Sequence, residues 1–362
     1  MTCCICGVGR YLSNYDGTPV TKYGFDMALS SRERIKKLIQ GEDIDRPGFW
    51  LGDPHADTWP LLLEYFKCES EEDLRLLLGD DVRWVLGDIY KGPEGSRKFP
   101  ALDQDILLED DKMKVLENYP WPDPHLVDYG KSLASLSEVG EFYRIGGMWN
   151  TFYHDVAGIF GLENYFMLMH LEPDLVKEAT RRVTEFYLTT NQYFFEAAGD
   201  DLDAYFFGND FGTQIDLMFS PEAFDEFLLP HLKKFTDQAH EYGLKVFFHS
   251  CGSIYRIIDR LIDIGIDCLH PLQARATNMD APYLAHHFKD RITFMGGIDT
   301  QELLVHASPE EVALNVEQVY SVLGPQIIIS PSHEAILPNV KPENIEAMAT
   351  QTLSLKSLST KG

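Results

Sequence analysis

From about residue 141 to residue 355, short apolar strand segments alternate with amphipathic helical segments, joined by short connections. EFYRIGG, AYFFG, KVFFHS, IDCLHP, ITFMGGI and QIIISP are the strand candidates, six in all between residues 141 and 330. Their cores are apolar on both faces, as in a parallel sheet covered by helices on each side. The intervening segments carry helical signals. PEAFDEFLLPHLKKFTDQAHEYG starts near Pro221 and has an internal Pro230 expected to kink it, and a last helix runs from near Pro342 toward Leu355. The first third of the chain must then supply about two more strands. It holds a helix at residues 30–40 capped by Ser30 or Ser31 and stopped by Gly41, and another at 70–79 with Ser70 and acids at its start.

A distorted TIM (β/α)8 barrel fits this pattern and length. The rival is an open doubly wound sheet, but no GxGxxG follows a strand and no GxxxxGK[ST] occurs. The expected organisation is an N-terminal extension or arm over 1–27, one barrel domain over 28–355, and a tail over 356–362. Within the barrel, a Pro-, Asp- and Gly-rich insertion lies near 90–130, with a hairpin plus loop as its expected form.

Composition narrows the function classes. The chain has 362 residues, 57 acidic against 31 basic, and a formal net charge of -26. Such a surface repels nucleic acid and anionic lipid and suits a cytoplasmic enzyme or a basic partner. No run of 18 apolar residues and no signal-peptide pattern is visible, so neither a membrane span nor export is expected. Six cysteines do not make a disulfide framework. Cys3, Cys4 and Cys6 crowd the N-terminus without a second pair at zinc-knuckle spacing, and read as a reduced tail.

In a barrel the active site lies where the strands end. There the unusual polar residues collect: Asn209 and Asp210, His249 and Cys251, His270 and Gln273, Asp299 and Gln301, His333 and Glu334. Residues i and i+2 of an extended segment point to one side, so His249 and Cys251 can converge on one ion, with Gly252 turning the backbone away. A catalytic zinc takes three protein ligands and leaves one position for substrate. His333 is the expected third ligand, with Cys268 and His270 as rivals, and Cys plus His favours zinc over harder metals. Asp210, Asp299 and Glu334 are placed to orient an imidazole, bind substrate or, for Asp210 and Glu334, move a proton; Asp210 in GNDFG also reads as a turn residue. Trp50, Tyr143, Met148, Asn209, Phe211 and Gln273 are the substrate-binding candidates, with Phe49, Trp149 and Met295 as further pocket candidates and His154 and Asp155 as cleft neighbours.

The segments GLENYFMLMHLEPDLV, GNDFGTQIDLMFSPEAFDEFLLPHLKKF, KVFFHSCGSIYRIIDRLIDIGIDCLHPLQ, RITFMGGIDTQELL and PSHEAILPNVKPENIEAM are ordered as in the uroporphyrinogen decarboxylase superfamily, which the chain resembles over about residues 28–352. The resemblance implies a distorted (β/α)8 barrel with its cleft at the strand C-termini. One arm of that superfamily decarboxylates a tetrapyrrole without metal and carries an arginine-rich loop. The corresponding stretch here, DRPGFWLGDPHADTW, keeps Arg46 but places Asp53 and Asp57 where basic groups are needed. The other arm contains zinc-dependent methyltransferases that work with corrinoid proteins and share an HxCG segment. Their third ligand is often a cysteine in PGC, whereas this chain has PSHE with His333 at that position. His249, Cys251 and His333 would leave zinc net positive, a better Lewis acid for an oxygen leaving group than a two-thiolate site.

The resemblance and this departure together imply a zinc-dependent methyltransferase. It would move a methyl group from a methyl ether, aromatic ethers included, to the Co(I) corrinoid (cobalamin) of a partner protein. Transfer from methylcorrinoid to a thiol, methanol or methylamine donors, a uroporphyrinogen-type decarboxylase, a zinc hydrolase and a non-catalytic corrinoid-protein-binding module are the alternatives. The expected partners are a corrinoid protein and a small methylated substrate, with no nucleic acid and no membrane; a homodimer is left open.

Overall fold

The computed structural model describes residues 12–13, 19–20, 29–86, 89–93, 98–102 and 105–358. The expected N-terminal arm, with Cys3, Cys4 and Cys6, lies outside them apart from a two-residue pairing of Leu12–Ser13 with Pro19–Val20. Eight parallel strands with their helices form a distorted (β/α)8 barrel. In chain order the strands are β1 (Gly48–Phe49), β2 (Val82–Leu86), β3 (Tyr143–Gly147), β4 (Ala204–Gly208), β5 (Lys245–His249), β6 (Cys268–His270), β7 (Thr293–Ile298) and β8 (Ile327–Pro331). The two strands expected from the first third are β1 and β2. All residues of β3, β4, β7 and β8 are buried, as the two-sided apolar pattern requires.

The chain divides into two compact units. The first comprises the described residues within 1–82, 141–143 and 270–362, and the second those within 83–140 and 144–269. In the first unit, β8 pairs with both β1 and β7. Helix α1 (Ser31–Ile39) opens with a full capping box between Ser30 and Glu33, which satisfies two of the amides that a helix start leaves without partners. This helix is fastened beneath β1 by a buried carboxylate. Asp81 accepts from Ser31 Oγ at 2.7 Å, Arg34 Nη1 at 2.9 Å, Arg46 Nη1 at 2.8 Å and the Phe49 amide at 2.9 Å. Burial alone would raise the Asp81 carboxyl, but the guanidinium groups of Arg46 and Arg34 outweigh it and hold the group below its ordinary range.

In the second unit the strand order is β6-β5-β4-β3-β2. Helix α2 (Phe152–Phe160) follows β3, and the long α3 (Pro173–Ala198) follows it. The expected kinked helix is two helices, Pro221–Phe227 and α4 (Leu229–Glu241), with the break at Leu228. Pro230 sits in the first turn of α4, where its missing N–H costs nothing, so the sequence restarts a helix there rather than bending one. The insertion is closed by a short antiparallel pairing of Ile89–Tyr90 with Val127–Asp128. Among the described residues, no helix is long and apolar enough to cross a membrane.

Candidate metal and substrate site

Within the second unit, β4 and β5 run in register from Ala204 opposite Lys245 to Gly208 opposite His249. The chain leaves β4 through Asn209-Asp210 and β5 through Ser250-Cys251, so the two turns emerge side by side. The Asn209 amide continues the ladder to the His249 carbonyl at 3.0 Å. Gly208 is required here, because a Cβ on it would lie 2.6 Å from the His249 Cβ. Beyond the strands, Gly212 and Gly252 touch backbone to backbone, and Gly252 has a φ of +84°, open to glycine without strain.

These constraints bring three donor atoms together. His249 Nε2 lies 3.4 Å from Cys251 Sγ and 3.2 Å from Asp210 Oδ1. Among the described residues, Asp210, His249 and Cys251 form a group whose ligand atoms all lie within 4.8 Å of one another. The Cys251 amide donates to Asp210 Oδ1 at 2.9 Å. The His249 side chain is 5% exposed and that of Asp210 46%, so the group is anchored on one side and open on the other. Burial would raise the Asp210 carboxyl, but the hydrogen bond and charge of His249, followed by the Cys251 amide, outweigh it. Asp210 is therefore held well below the ordinary carboxylate range and is an anion at neutral pH.

The donor set fits a zinc-sized cation. Tetrahedral bonds of about 2.0–2.3 Å separate neighbouring ligand atoms by roughly 3.3–3.8 Å, close to the two separations at His249 Nε2. One Nε2 proton can serve only one of the two acceptors, Asp210 Oδ1 and Cys251 Sγ. A cation between all three satisfies them together.

Three neighbours support the group. His154 Nε2 accepts the Asp210 amide at 3.0 Å. Burial lowers the His154 imidazole despite Asp210 and Asp155, which keeps it in the neutral form able to accept. The Ser250 hydroxyl accepts the Phe211 amide at 3.1 Å. Trp149 stands edge-on to the His249 ring at 5.6 Å, and packs on Trp84 at 5.1 Å and Phe206 at 5.4 Å. Trp84 and Trp149 keep part of their surface exposed.

The other candidates take different places. Asn209 is committed to the scaffold, its Oδ1 accepting the Tyr153 amide at 3.0 Å and its Nδ2 donating to the Asn150 carbonyl at 3.1 Å. Phe211 is fully buried against Tyr153, Phe219, Phe224 and Phe248, and Met148 is likewise enclosed. Cys268 is fully buried, and burial pushes its thiol well above the ordinary value, as for an unreactive core residue.

In the first unit, Trp50 is fully buried with its ring 5.2 Å from that of His270, Tyr143 is 1% exposed, and Gln273 is part-exposed. His333 Nδ1 accepts the Ala335 amide at 3.0 Å and lies 3.5 Å from Glu334 Oε2. With Nδ1 accepting, a neutral His333 carries its proton on Nε2. The Glu334 carbonyl accepts the Asp53 amide at 2.8 Å. Asp299 caps the following turn, accepting the amides of Gln301, Glu302 and Leu303. It borders a cavity of about 660 Å3, lined also by Arg275, Asp280, His306 and Glu311. Asp280 and Glu311 likewise serve helix starts there.

Gly208, Gly212 and Trp84 were not singled out in the sequence. The only signal for them was glycine at both edges of GNDFG and a tryptophan within an apolar strand.

No curated protein sequence matches the chain. Among solved structures it is similar to a methyltransferase from Methanosarcina mazei, with 16% identity over 90% of this chain and 98% of that one and a TM-score of 0.59. It is also similar to a protein described as a vitamin-B12-independent methionine synthase from Listeria monocytogenes, with 10% identity over 85% and 97% of the two chains and a TM-score of 0.41. At 16% identity the likeness to the methyltransferase concerns the fold alone. A family profile described as uroporphyrinogen decarboxylase (URO-D) matches residues 98–352, well over half of the chain. The chain therefore belongs to the uroporphyrinogen decarboxylase (URO-D) family.

Proposed function

We propose that this protein is a metal-dependent methyltransferase that moves a methyl group from a methyl ether to the Co(I) corrinoid of a partner protein. The observation that carries the reading is the convergence of His249 Nε2 and Cys251 Sγ, 3.4 Å apart, at the open end of β5. A zinc ion held there would supply Lewis acidity at the ether oxygen, and a single thiolate among its donors leaves it more acidic than two would. In the reaction the methyl C–O bond breaks with its electron pair going to oxygen. The cobalt electron pair forms the Co–C bond, and the released alkoxide or phenolate takes a proton from water.

The protein's own groups orient and shield. Part-exposed Trp149 stands edge-on to His249 and packs in turn on part-exposed Trp84, so the two indoles offer an apolar wall, which suits an aromatic methyl ether. His249 is held against Trp149 and is nearly closed to water. Placing the methyl carbon in line with its acceptor is the main contribution such a site can make, since the cobalt chemistry belongs to the corrinoid.

Arg46 weighs against tetrapyrrole decarboxylation. It is the one basic residue retained in DRPGFW; the residue is 4% exposed and its guanidinium is spent on Asp81. It has no face to offer a substrate carboxylate.

The test is to incubate purified protein with Co(I) corrinoid and a panel of methyl ethers, methanol and methylamines, following methylcobalt absorbance. Methylation from an aryl methyl ether, lost in Cys251→Ser, is the expected result. No methylation from any donor, together with decarboxylation of a porphyrinogen, would overturn the reading.

A further inference from the structure

We infer that Asp210 is itself a metal ligand, so that the turns after β4 and β5 supply three donors from the second unit alone: an Asp210 carboxylate oxygen, His249 Nε2 and Cys251 Sγ. This rests on the reading of His249 and Cys251 as a metal centre. It changes the role of Asp210 from proton carrier or turn residue to anionic ligand.

Four observations carry it. The carboxylate does not serve its own turn: Oδ1 accepts an amide from Cys251, 41 residues away in sequence, rather than from a near neighbour. Among the described residues it pairs with no lysine or arginine, and its carboxylate lies 3.2 Å from His249 Nε2 and within 4.8 Å of Cys251 Sγ. Its backbone is held separately, by the His154 bond, so the carboxylate is not what fixes its own main chain. Lastly, the Gly212–Gly252 contact sets the spacing of the two turns, with Asp210 two residues before one glycine and Cys251 immediately before the other. The separations at Nε2, 3.2 and 3.4 Å, are then close to those of edges in a four-coordinate zinc site.

One carboxylate, one thiolate and one imidazole neutralise a divalent ion and leave a fourth position open. The oxygen donor is harder than a second thiolate and binds zinc less covalently, in keeping with a centre that acts on oxygen.

The experiment uses the full chain as wild type, Asp210→Ala, Asp210→Asn and Cys251→Ser, each stripped and reloaded with Zn(II) or Co(II). Zinc affinity is measured by chelator competition and the ligand set from the Co(II) absorption spectrum, with circular dichroism to establish folding. In wild type, about one equivalent of metal with a thiolate-to-Co(II) charge-transfer band is expected. Both Asp210 variants should bind zinc at least about tenfold more weakly and shift the Co(II) ligand-field bands while keeping the charge-transfer band. Cys251→Ser should lose that band. Asp210→Asn keeps the side-chain shape, so it carries the test if Asp210→Ala does not fold. Wild-type affinity and unchanged ligand-field bands in folded Asp210→Asn would overturn the assignment and leave the His249–Cys251 centre standing. A wild type that takes up no stoichiometric metal would overturn both.

Discussion

Gly212 and Gly252 meet so closely that a Cβ on Gly252 would sit 2.3 Å from the Gly212 carbonyl carbon, and a Cβ on Gly212 would sit 2.6 Å from the Ser253 amide nitrogen. Neither contact can be relieved by rotating a side chain, because the opposing atoms are backbone. The Gly252→Ala protein must therefore part the two turns, and it also carries the strain of a positive φ, of order 1–3 kcal/mol. We expect a lower Tm and zinc affinity reduced at least about tenfold. A thermal melt and a chelator competition check this; wild-type affinity in a folded Gly252→Ala protein would show that the turn contact does not set the donor spacing.

His154 reaches the same group from helix α2. Its Nε2 holds the Asp210 amide and so fixes where the carboxylate begins. Removing such an outer partner of a metal site typically costs 10–100-fold in affinity. His154→Ala is expected to weaken zinc binding by about tenfold. His154→Gln, whose side-chain oxygen is also an acceptor, should restore part of the loss. Equal affinities in the two variants would assign His154 a packing role only.

The barrel could be read from the chain because its strands are apolar on both faces and bounded by turn residues, and AYFFG is a strand from its first residue to its last. The helix break at Leu228 was harder, because Pro230 is compatible with either a kink or a restart, and only packing decides. At the site, His249 and Cys251 were visible through period-two geometry. Asp210 was read as a group that orients an imidazole or moves a proton, but its closeness to both donor atoms was not legible, since it depends on the register of β4 against β5 and on two glycines touching across 40 residues of sequence. The pocket candidates divided for the same reason. Trp50, Met148 and Phe211 are enclosed while Trp149 reaches the imidazole, and residue type alone does not distinguish them.

Asp81 fastens α1 to β1 through two guanidinium groups, a hydroxyl and an amide, and is itself fully buried. Replacing one member of a buried ion cluster leaves the others charged and desolvated, which costs about 3–5 kcal/mol. Asp81→Asn should lose stability on that scale in urea denaturation, with the His249–Cys251 centre, located in the other unit, retaining its metal. A loss below about 1 kcal/mol would mean that Arg34 and Arg46 find other partners.

His231 is a built-in source of acid sensitivity. It lies in the first turn of α4, with Nδ1 2.8 Å from the Thr184 hydroxyl in α3. That hydroxyl donates to the Thr180 carbonyl at 2.7 Å, so Nδ1 must be the donor and the ring is held in one neutral tautomer. Burial first, then the nearby Lys234, pushes its pKa down from 6.5 to about 4. The unfolded chain therefore binds a proton here at pH values where the folded chain does not. Stability contributed by the neutral ring is present above pH 6.5 and declines as pH falls toward about 4, by roughly 2–4 kcal/mol in total. Urea unfolding of wild type and His231→Gln between pH 7 and pH 4.5 should show the steeper fall for wild type, whatever the offset between them at pH 7. Parallel pH dependences would place the proton uptake elsewhere.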